Sequence, residues 1–328
     1  MSHVPAVSSI LSPAYLAEFV RQKYKVASDT SCRIIRIGAN HTYLITSATE
    51  RYVLRVYARN WRTELEISEE LRLLDLLQEN NFSVSYPIPD VDGQYIQQMN
   101  ALEGLRFAVL FSYAEGAAVK NLSKEACSQL GTTIARLHQQ TVDLTINRKD
   151  YTADTLVRWA FDLAKGFFGE ASEAMQFFSR ALTAIDKEFS QIDSAVVRHG
   201  VVHLDIWQDN MKVSEDHVVS LFDFDNCGNG PLFLDLGYTL MSLYRHEPNK
   251  EEYLEKRELF LQAYRSTFPF SEAEEKLIPY GGLAIWLHYN GVHVQRFDDF
   301  SNPFLSPTFL TYWINTARQW MEFHGIQI

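Results

Sequence analysis

The feature that most constrains this chain is a set of polar residues spaced between positions 203 and 223. His203 is followed by Asp205 and Asn210 in the pattern HxDxxxxN, and an apolar run ends thirteen residues after Asn210, at Asp223. Phosphoryl transfer from a metal-bound nucleoside triphosphate requires a carboxylate that accepts the proton of the attacking hydroxyl. It also requires an amide and a second carboxylate that hold the metal ions. We therefore predict Asp205 as the catalytic base and Asn210 and Asp223 as ligands of Mg²⁺, which prefers oxygen ligands.

The surroundings of this set predict its local structure. We expect His199-Gly200 to interrupt the chain, and the β-branched and apolar run at 218–222 predicts a strand that ends at Asp223. Asp225 is the alternative metal ligand. A different interpretation is an Asp- and Asn-rich turn before a hairpin, because these residues are common in turns.

The segment 199–236 resembles the catalytic and metal-binding loops of the aminoglycoside phosphotransferase-like family, which includes choline kinase-type enzymes and is distantly related to protein kinases. Residues 228–237 are similar to that family's GxGPxxxDL pattern. The resemblance implies that Asp235 supports the catalytic loop, and we expect His138 and His203 to be packed, hydrogen-bonded residues. From the residues alone, Asp235 could be a helix N-cap, since Asp is favoured there, and the two roles are compatible.

The first 113 residues carry short alternating runs around one long helical pattern. Asp92-Gly93 predicts a hairpin turn, and the order of elements resembles a kinase N-lobe. We therefore expect an α+β, bilobal, protein-kinase-like fold, with a small N-lobe (1–113) of antiparallel sheet plus helix and a larger, mostly helical C-lobe (114–328). The predicted elements of the N-lobe are a helix at 12–25, strands at 32–37, 42–47 and 51–57, a helix at 61–78, and strands at 94–99 and 107–111, which make a five-stranded sheet.

Alternation in the strand 51–57 places Val53 and Arg55 on one face. The resemblance implies that Arg55 grips the α- and β-phosphates and that Val53 covers the adenine. Protein kinases carry Lys at the position of Arg55, and Arg differs by its planar, permanently charged fork. The alternative is an exposed Arg on an outer strand.

The remaining nucleotide-binding residues also follow from the resemblance. A helix-borne Glu should orient Arg55, and Glu70 is chosen because it lies on the apolar face of its helix. Gly38 and Asn40 are predicted in a loop that covers the nucleotide, with an ordinary turn as the alternative. Ser112 or Tyr113 should contact the adenine through the backbone, unless this stretch is an edge strand and turn.

Composition limits the partners. The chain has 328 residues and a formal net charge of −11, which disfavours nucleic acid and anionic membranes as partners. Three widely separated cysteines give no disulfide framework, and we identify no secretory signal and no apolar stretch of about 18 residues. We expect a cytoplasmic protein, monomer or homodimer, without nucleic acid or membrane partners.

The resulting prediction is an enzyme that uses ATP and Mg²⁺ to phosphorylate a hydroxyl of a small molecule of the amino alcohol, sugar or aminoglycoside type. The alternatives are a stress-response-type kinase of protein Ser/Thr and a non-catalytic, nucleotide-binding regulatory module, and analogy of fold does not choose among them. Asp209, Asp298 and Asp299 could form an acidic site for an amine-bearing substrate or a solvated loop.

Overall fold

The computed structural model describes residues 4–193, 195–296 and 303–328. They form two compact units, which we call the amino-terminal unit (4–114) and the carboxy-terminal unit (from 115 onward). Asp298 and Asp299, considered above for an acidic site, lie outside the described residues.

The amino-terminal unit is an antiparallel sheet with two helices. Helix α1, Pro13–Lys23, is capped by Ser12, whose side chain accepts the N–H of Tyr15. The strands follow the order β1-β2-β3-β6-β4, and β5 pairs with β6. Six strands are present in the described part of this unit instead of the five predicted, because the two-residue β4 is too short to give a pattern. The strands are β1 Ser31–Ile37, β2 Asn40–Thr46, β3 Arg51–Tyr57, β4 Pro87–Ile88, β5 Ile96–Ala101 and β6 Gly104–Ser112.

The turn at Asp92-Gly93 does not close a hairpin, so that prediction is wrong. Strands β4 and β5 each pair with β6 and not with each other. Gly93 has the positive φ of +79° that a turn signal requires, but such a signal fixes the local backbone and not the partner of the next strand. The tight hairpin joins β5 to β6, where Ala101 pairs with Gly104.

Helix α2, Glu64–Glu79, begins three residues after the predicted start. Thr63 accepts the N–H of Glu66 and the Glu66 carboxylate accepts the N–H of Thr63, which forms a capping box. The face that α2 buries is otherwise apolar and includes Ile67, Leu71 and Leu74, and Glu70 lies on it. The helix therefore presents one carboxylate from its buried face.

The carboxy-terminal unit is mostly helical among the residues described, as predicted. A short π-helical segment, Asp154–Arg158, leads directly into α4. The helices are α3 Lys124–Thr141, α4 Trp159–Phe168, α5 Glu173–Phe189, α6 Phe233–His246, α7 Lys250–Thr267, α8 Glu272–Gln295 and α9 Pro307–Phe323. None of the helices among the described residues combines the length and apolar character needed to cross a membrane.

Two short antiparallel ladders frame the segment 199–231. Strand β7, His199–Val202, pairs with β10, Gly228–Pro231, and β8, Met211–Val213, pairs with β9, Val219–Leu221. The expectation that His199-Gly200 interrupts the chain is therefore wrong. Glycine is required at 200 for a different reason, because a Cβ there would overlap the backbone carbonyl of Thr141.

Helices α6 and α8 approach each other closely through glycines. A Cβ on Gly237 of α6 would overlap the backbone N of Gly282 and the backbone O of Ile278 on α8. A Cβ on Gly282 would lie 2.5 Å from the carbonyl oxygen of Gly237. The two helices can therefore meet only because side chains are absent at this crossing.

Candidate active site

Asp235 holds the backbone that leads into Asp205. Its side chain is fully buried, its Oδ2 accepts the N–H of His203 at 2.9 Å, and its Oδ1 accepts the N–H of Leu204 at 2.7 Å. Leu204 has a φ of +67°, a conformation that is costly for a residue with a side chain. The helix N-cap is Leu232, so the suggested role of Asp235 as N-cap is wrong. Asp235 fixes a strained turn directly before Asp205.

Two buried histidines make further hydrogen bonds to Asp235 and to the loop that follows it in space. His138 Nε2 lies 3.2 Å from Asp235 Oδ2, and its Nδ1 lies 2.7 Å from the hydroxyl of Tyr264. His203 Nδ1 accepts the N–H of Asp205 at 3.2 Å, so its Nε2 carries the proton and donates to the carbonyl of Phe222, also at 3.2 Å. Burial lowers the pKa of His203, which keeps the ring neutral. The histidines order the loop, as expected from the sequence.

Asp205 and Asn210 contact each other. The Asn210 side-chain amide donates to Asp205 Oδ2 at 2.8 Å and to the Asp205 carbonyl at 3.0 Å. The Asn210 backbone carbonyl accepts the N–H of Phe222 at 3.1 Å, which ties the loop to the end of β9. Asn210 Oδ1 is buried and has no hydrogen-bond partner among the described residues. Both amide hydrogens of Asn210 are therefore used in hydrogen bonds, and its buried Oδ1 remains available to bind a ligand.

Asp223 lies two residues after β9 in the left-handed conformation, with φ +66° and ψ 60°. A short 3-10 segment, Phe224–Asn226, follows, and the Arg148 guanidinium donates to the carbonyl of Asp225 within it. The Asp225 side chain is buried, whereas Asp223 is half-buried. Arg148 was missed from the sequence because nothing in its local pattern shows that it would support a loop 77 residues later.

Arg55 and Glu70 form a buried ion pair in the amino-terminal unit. Arg55 Nη1 lies 2.6 Å from Glu70 Oε1, and their side chains are 10% and 0% exposed. The alternative of an exposed surface Arg is therefore wrong. The Arg55 guanidinium also lies over the ring of Phe111, at 4.8 Å from its centroid. Of the several glutamates of α2, the one that pairs with Arg55 is Glu70, which was selected because it lies on the apolar face of the helix.

Tyr57 joins this pair and was missed from the sequence. Its hydroxyl accepts from Arg55 Nη1 at 3.3 Å and donates to Glu70 Oε2 at 3.3 Å. Tyr57 has the same strand parity as Val53 and Arg55, so alternation along β3 was the available signal. The three side chains form one hydrogen-bonded group.

The β1–β2 turn is tight. Gly38 donates its N–H to the Asn40 carbonyl at 3.1 Å, and the Asn40 side chain accepts the N–H of Ala58 at 3.4 Å. A Cβ on Gly38 would make only ordinary contacts, so local packing does not require glycine there. Val53 pairs with Phe111 of β6 in the sheet.

Ser112 ends β6 and is tied to the preceding loop. Its N–H donates to the Tyr86 carbonyl at 2.8 Å, and its own carbonyl accepts from the Ser85 hydroxyl. The ring of the next residue, Tyr113, lies 4.3 Å from the guanidinium carbon of Arg51. The amide hydrogen and the carbonyl of Ser112 therefore both take part in hydrogen bonds within the amino-terminal unit.

Comparison with known proteins decides the family. The sequence model of the phosphotransferase enzyme family, APH, matches residues 31–270. The chain belongs to this family. It is therefore an enzyme of the kinase type, and the resemblance recognised from residues 199–236 is confirmed.

Proteins similar to this phosphotransferase match it over most of its length. It is 26% identical over 268 residues to homoserine kinase from Methylobacillus glycogenes, covering 78% of each chain. The solved structure of a microcompartment-associated aminopropanol kinase superposes with a TM-score of 0.76 at 21% identity, over 96% of this chain and 99% of that one. The solved structure of amicoumacin kinase in complex with AMP-PNP, Ca²⁺ and Ami gives a TM-score of 0.75 at 18% identity, over 95% of this chain and 94% of that one. The predicted α+β, protein-kinase-like fold class is confirmed.

Proposed function

We propose that this protein transfers the γ-phosphate of ATP to a hydroxyl group of a small molecule, with Asp205 as the catalytic base. The observation that carries the proposal is the contact between Asp205 and Asn210, which leaves Asn210 Oδ1 buried and without a partner among the described residues. A turn that served only structure would have satisfied this oxygen.

Asn210 and Asp223 are the proposed ligands of Mg²⁺. Among the residues that the structure describes, no group of three or more His, Cys, Asp or Glu side chains could hold a metal by itself. This fits Mg²⁺, which is usually bound by one or two protein oxygen ligands together with substrate phosphates and water. When bound, the metal would neutralise charge on the phosphates.

The chain's own residues supply proton transfer and orientation. The acceptor's oxygen forms a bond to the γ-phosphorus while the bond from that phosphorus to the β–γ bridging oxygen breaks. ADP leaves with the electron pair, and the hydroxyl proton passes to the Asp205 carboxylate. The hydrogen bond from Asn210 fixes one oxygen of this carboxylate, and the turn held by Asp235 sets its position.

In the amino-terminal unit, Arg55 is the proposed ligand of the nucleotide phosphates and Glu70 orients it. The ion pair at 2.6 Å and the Tyr57 hydroxyl support this role, because a buried cation held by two groups has a defined direction. Val53 as the cover of the adenine, and Ser112 and Tyr113 as its backbone contacts, are part of the same proposal.

Gly38 and Asn40 are the proposed cover of the nucleotide. The tightness of their turn is compatible with this role, although the Asn40 side chain is engaged by Ala58.

A small-molecule acceptor is favoured over a protein acceptor. Two of the similar proteins are a homoserine kinase and an aminopropanol kinase, and both substrates are small alcohols. A non-catalytic module is disfavoured because Asp205, Asn210 and Asp223 are all present. We place the reaction in the cytoplasm, where ATP is available.

The proposal is tested by ADP release from Mg²⁺-ATP over a panel of small alcohols and a generic protein substrate. Asp205→Ala should lower kcat by about 10²–10⁴-fold, the usual contribution of a general base, while the Kd of Mg²⁺-ATP stays close to that of the wild type. Asp216→Ala, an exposed carboxylate between β8 and β9, is the matched control and should behave as the wild type.

Two results would contradict the proposal. Wild-type turnover by Asp205→Ala on the best acceptor would remove Asp205 from the role of base. Tight Mg²⁺-ATP binding without ADP release on any acceptor would favour the regulatory module.

A further inference from the structure

Two tyrosines from neighbouring helices lie beside the proposed base. The rings of Tyr238 on α6 and Tyr289 on α8 are 5.5 Å apart, and the Tyr289 hydroxyl lies 3.5 Å from the carbonyl of Leu204. Burial raises the pKa of Tyr289 well above its usual range, and the neighbouring Asp205 carboxylate raises it further. Both phenols therefore stay protonated, and they border Asp205.

The same pair of helices places a cation nearby. The guanidinium carbon of Arg245, near the end of α6, lies 4.2 Å from the ring centroid of Trp286 on α8, and its Nη2 donates to the Tyr312 hydroxyl at 3.1 Å. Burial raises the pKa of Tyr238, as does Asp205, whereas the Arg245 charge lowers it. The charges of Asp205 and Arg245 thus both act on the Tyr238 hydroxyl. Arg245 Nε is buried and has no hydrogen-bond partner among the described residues.

Asn290 adds the observation that points to a ligand. It is 1% exposed, and neither its side-chain nitrogen nor its oxygen has a hydrogen-bond partner among the described residues. Asn290 follows Trp286 by one turn of α8, so the two residues share a face of the helix. A fully buried, unpaired carboxamide is destabilising and rarely retained without a purpose.

We propose that Arg245 and Asn290 bind a carboxylate on the acceptor whose hydroxyl faces Asp205. Arg245 Nε and Asn290 Nδ2 offer two buried N–H donors beside one positive charge, which is the arrangement that recognises a carboxylate. The substrate class is then a small hydroxy acid, including hydroxy amino acids, for which Asn290 Oδ1 can accept from the ammonium group. Tyr238 and Tyr289 would line the carbon chain between the two ends. This inference rests on the proposed phosphotransfer to a hydroxyl.

The experiment compares acceptors that differ by one group. Homoserine carries a hydroxyl, an ammonium and a carboxylate; 3-aminopropan-1-ol lacks the carboxylate, 4-hydroxybutyrate lacks the ammonium, and 1,3-propanediol lacks both. With the full-length protein and Mg²⁺-ATP, we expect kcat/KM for the two carboxylate-bearing acceptors to exceed that for the other two by about 10–100-fold, the size of a charge-assisted interaction.

Two variants test whether Arg245 and Asn290 cause the preference for carboxylate-bearing acceptors. Arg245→Leu and Asn290→Leu should each raise KM for the carboxylate-bearing acceptors by about 10–100-fold. The loss should be much smaller for 1,3-propanediol, which carries neither the carboxylate nor the ammonium group, and the Kd of Mg²⁺-ATP should stay at its wild-type value. Arg180→Leu, which removes an exposed cation of α5, is the control for the loss of one positive charge. Asn290→Leu should also raise the melting temperature, because it replaces an unpaired buried amide by an apolar group of similar size. A purely structural role for Asn290 predicts a lower melting temperature.

Failure of this inference is distinguishable from failure of the proposed function. If 3-aminopropan-1-ol is phosphorylated as well as homoserine and Arg245→Leu affects both equally, the carboxylate site is refuted while phosphotransfer stands. If no acceptor causes ADP release, calorimetric titration of 4-hydroxybutyrate in the absence of nucleotide tests the carboxylate site alone. Binding that Arg245→Leu abolishes keeps the carboxylate site and refutes the reaction, and equal or absent binding in both proteins refutes the site.

Discussion

The segment that carries Asp205 and the sheet that carries Arg55 orient a charged side chain in different ways. In segment 199–236, one buried carboxylate, Asp235, holds the backbone that carries Asp205, and Asn210 adds a hydrogen bond to the Asp205 side chain. In the amino-terminal unit, Glu70 of α2 and Tyr57 of β3 hold the side chain of Arg55 itself. A group oriented through its backbone depends on the loop's conformation, whereas one oriented through its side chain depends on a few contacts that can be removed singly.

The largest effect should come from the backbone anchor. Asp235→Asn replaces one accepting oxygen by an amide that faces a backbone N–H. We expect a loss of about 3 kcal/mol in the free energy of unfolding, because hydrogen bonds to charged groups contribute about 1.5–3 kcal/mol each. We also expect a fall of about 10²-fold in kcat, since small displacements of a catalytic group are costly.

Urea unfolding and ADP release measure the two quantities. Asp186→Asn is the matched control, because Asp186 is a partly exposed partner of Arg158 and such pairs contribute about 0–1 kcal/mol. Equal stability of the Asp235 variant and the wild type would show that the turn at Leu204 does not depend on this carboxylate.

A smaller effect is expected from the ion pair. Arg55→Ala and Glu70→Ala should each lower the affinity for Mg²⁺-ATP and the rate of turnover, and the double variant should lose less than the sum, with a coupling of about 0.5–3 kcal/mol. Arg55→Lys should keep part of the activity, because the charge stays while the fork is lost.

The exposed pair Arg72–Glu69 on the same helix is the control cycle, with a coupling of at most about 1 kcal/mol. Additive losses in the Arg55–Glu70 cycle would mean that the two side chains act independently, and wild-type ATP affinity in all variants would move the phosphate contact elsewhere.

The smallest expected effect tests whether the Tyr57 hydroxyl orients Arg55 or only stabilises the fold. Tyr57→Phe removes one hydroxyl from the group around Arg55 and should cost about 0.5–1.5 kcal/mol of stability, with a measurable loss of Mg²⁺-ATP affinity. Tyr43→Phe, whose hydroxyl bonds the Leu11 carbonyl at 3.2 Å, should cost a similar stability without any change in ATP affinity. Calorimetry with Mg²⁺-ATP distinguishes the two, and an identical Kd for both variants would remove Tyr57 from the orienting group.

Residues of the candidate site that are close in sequence, or that follow a regular spacing, could be predicted. Asp205, Asn210 and Asp223 lie within twenty residues, so their order alone was informative. The family resemblance pointed to Arg55 and to a Glu partner on the helix, and helix periodicity then favoured Glu70. The periodicity of β3 could have included Tyr57.

Other features could not be predicted, because they depend on contacts distant in sequence. Examples are the hydrogen bond from Arg148 to Asp225, the approach of Tyr264 to His138, and the pairing of β4 with β6. The Asp92-Gly93 turn shows the limit of a local signal, since its backbone was predicted and the strand pairing beyond it was not.

The glycine crossing of α6 and α8 has a consequence for how the acceptor preference of this enzyme could diverge. Because Gly237 and Gly282 bring the two backbones into contact, neither helix can slide or accept a larger residue there without separating the pair. New acceptors would then arise by exchanging side chains at positions such as 245 and 290 on a fixed frame. Laboratory evolution should accumulate its substitutions at these positions and spare the crossing.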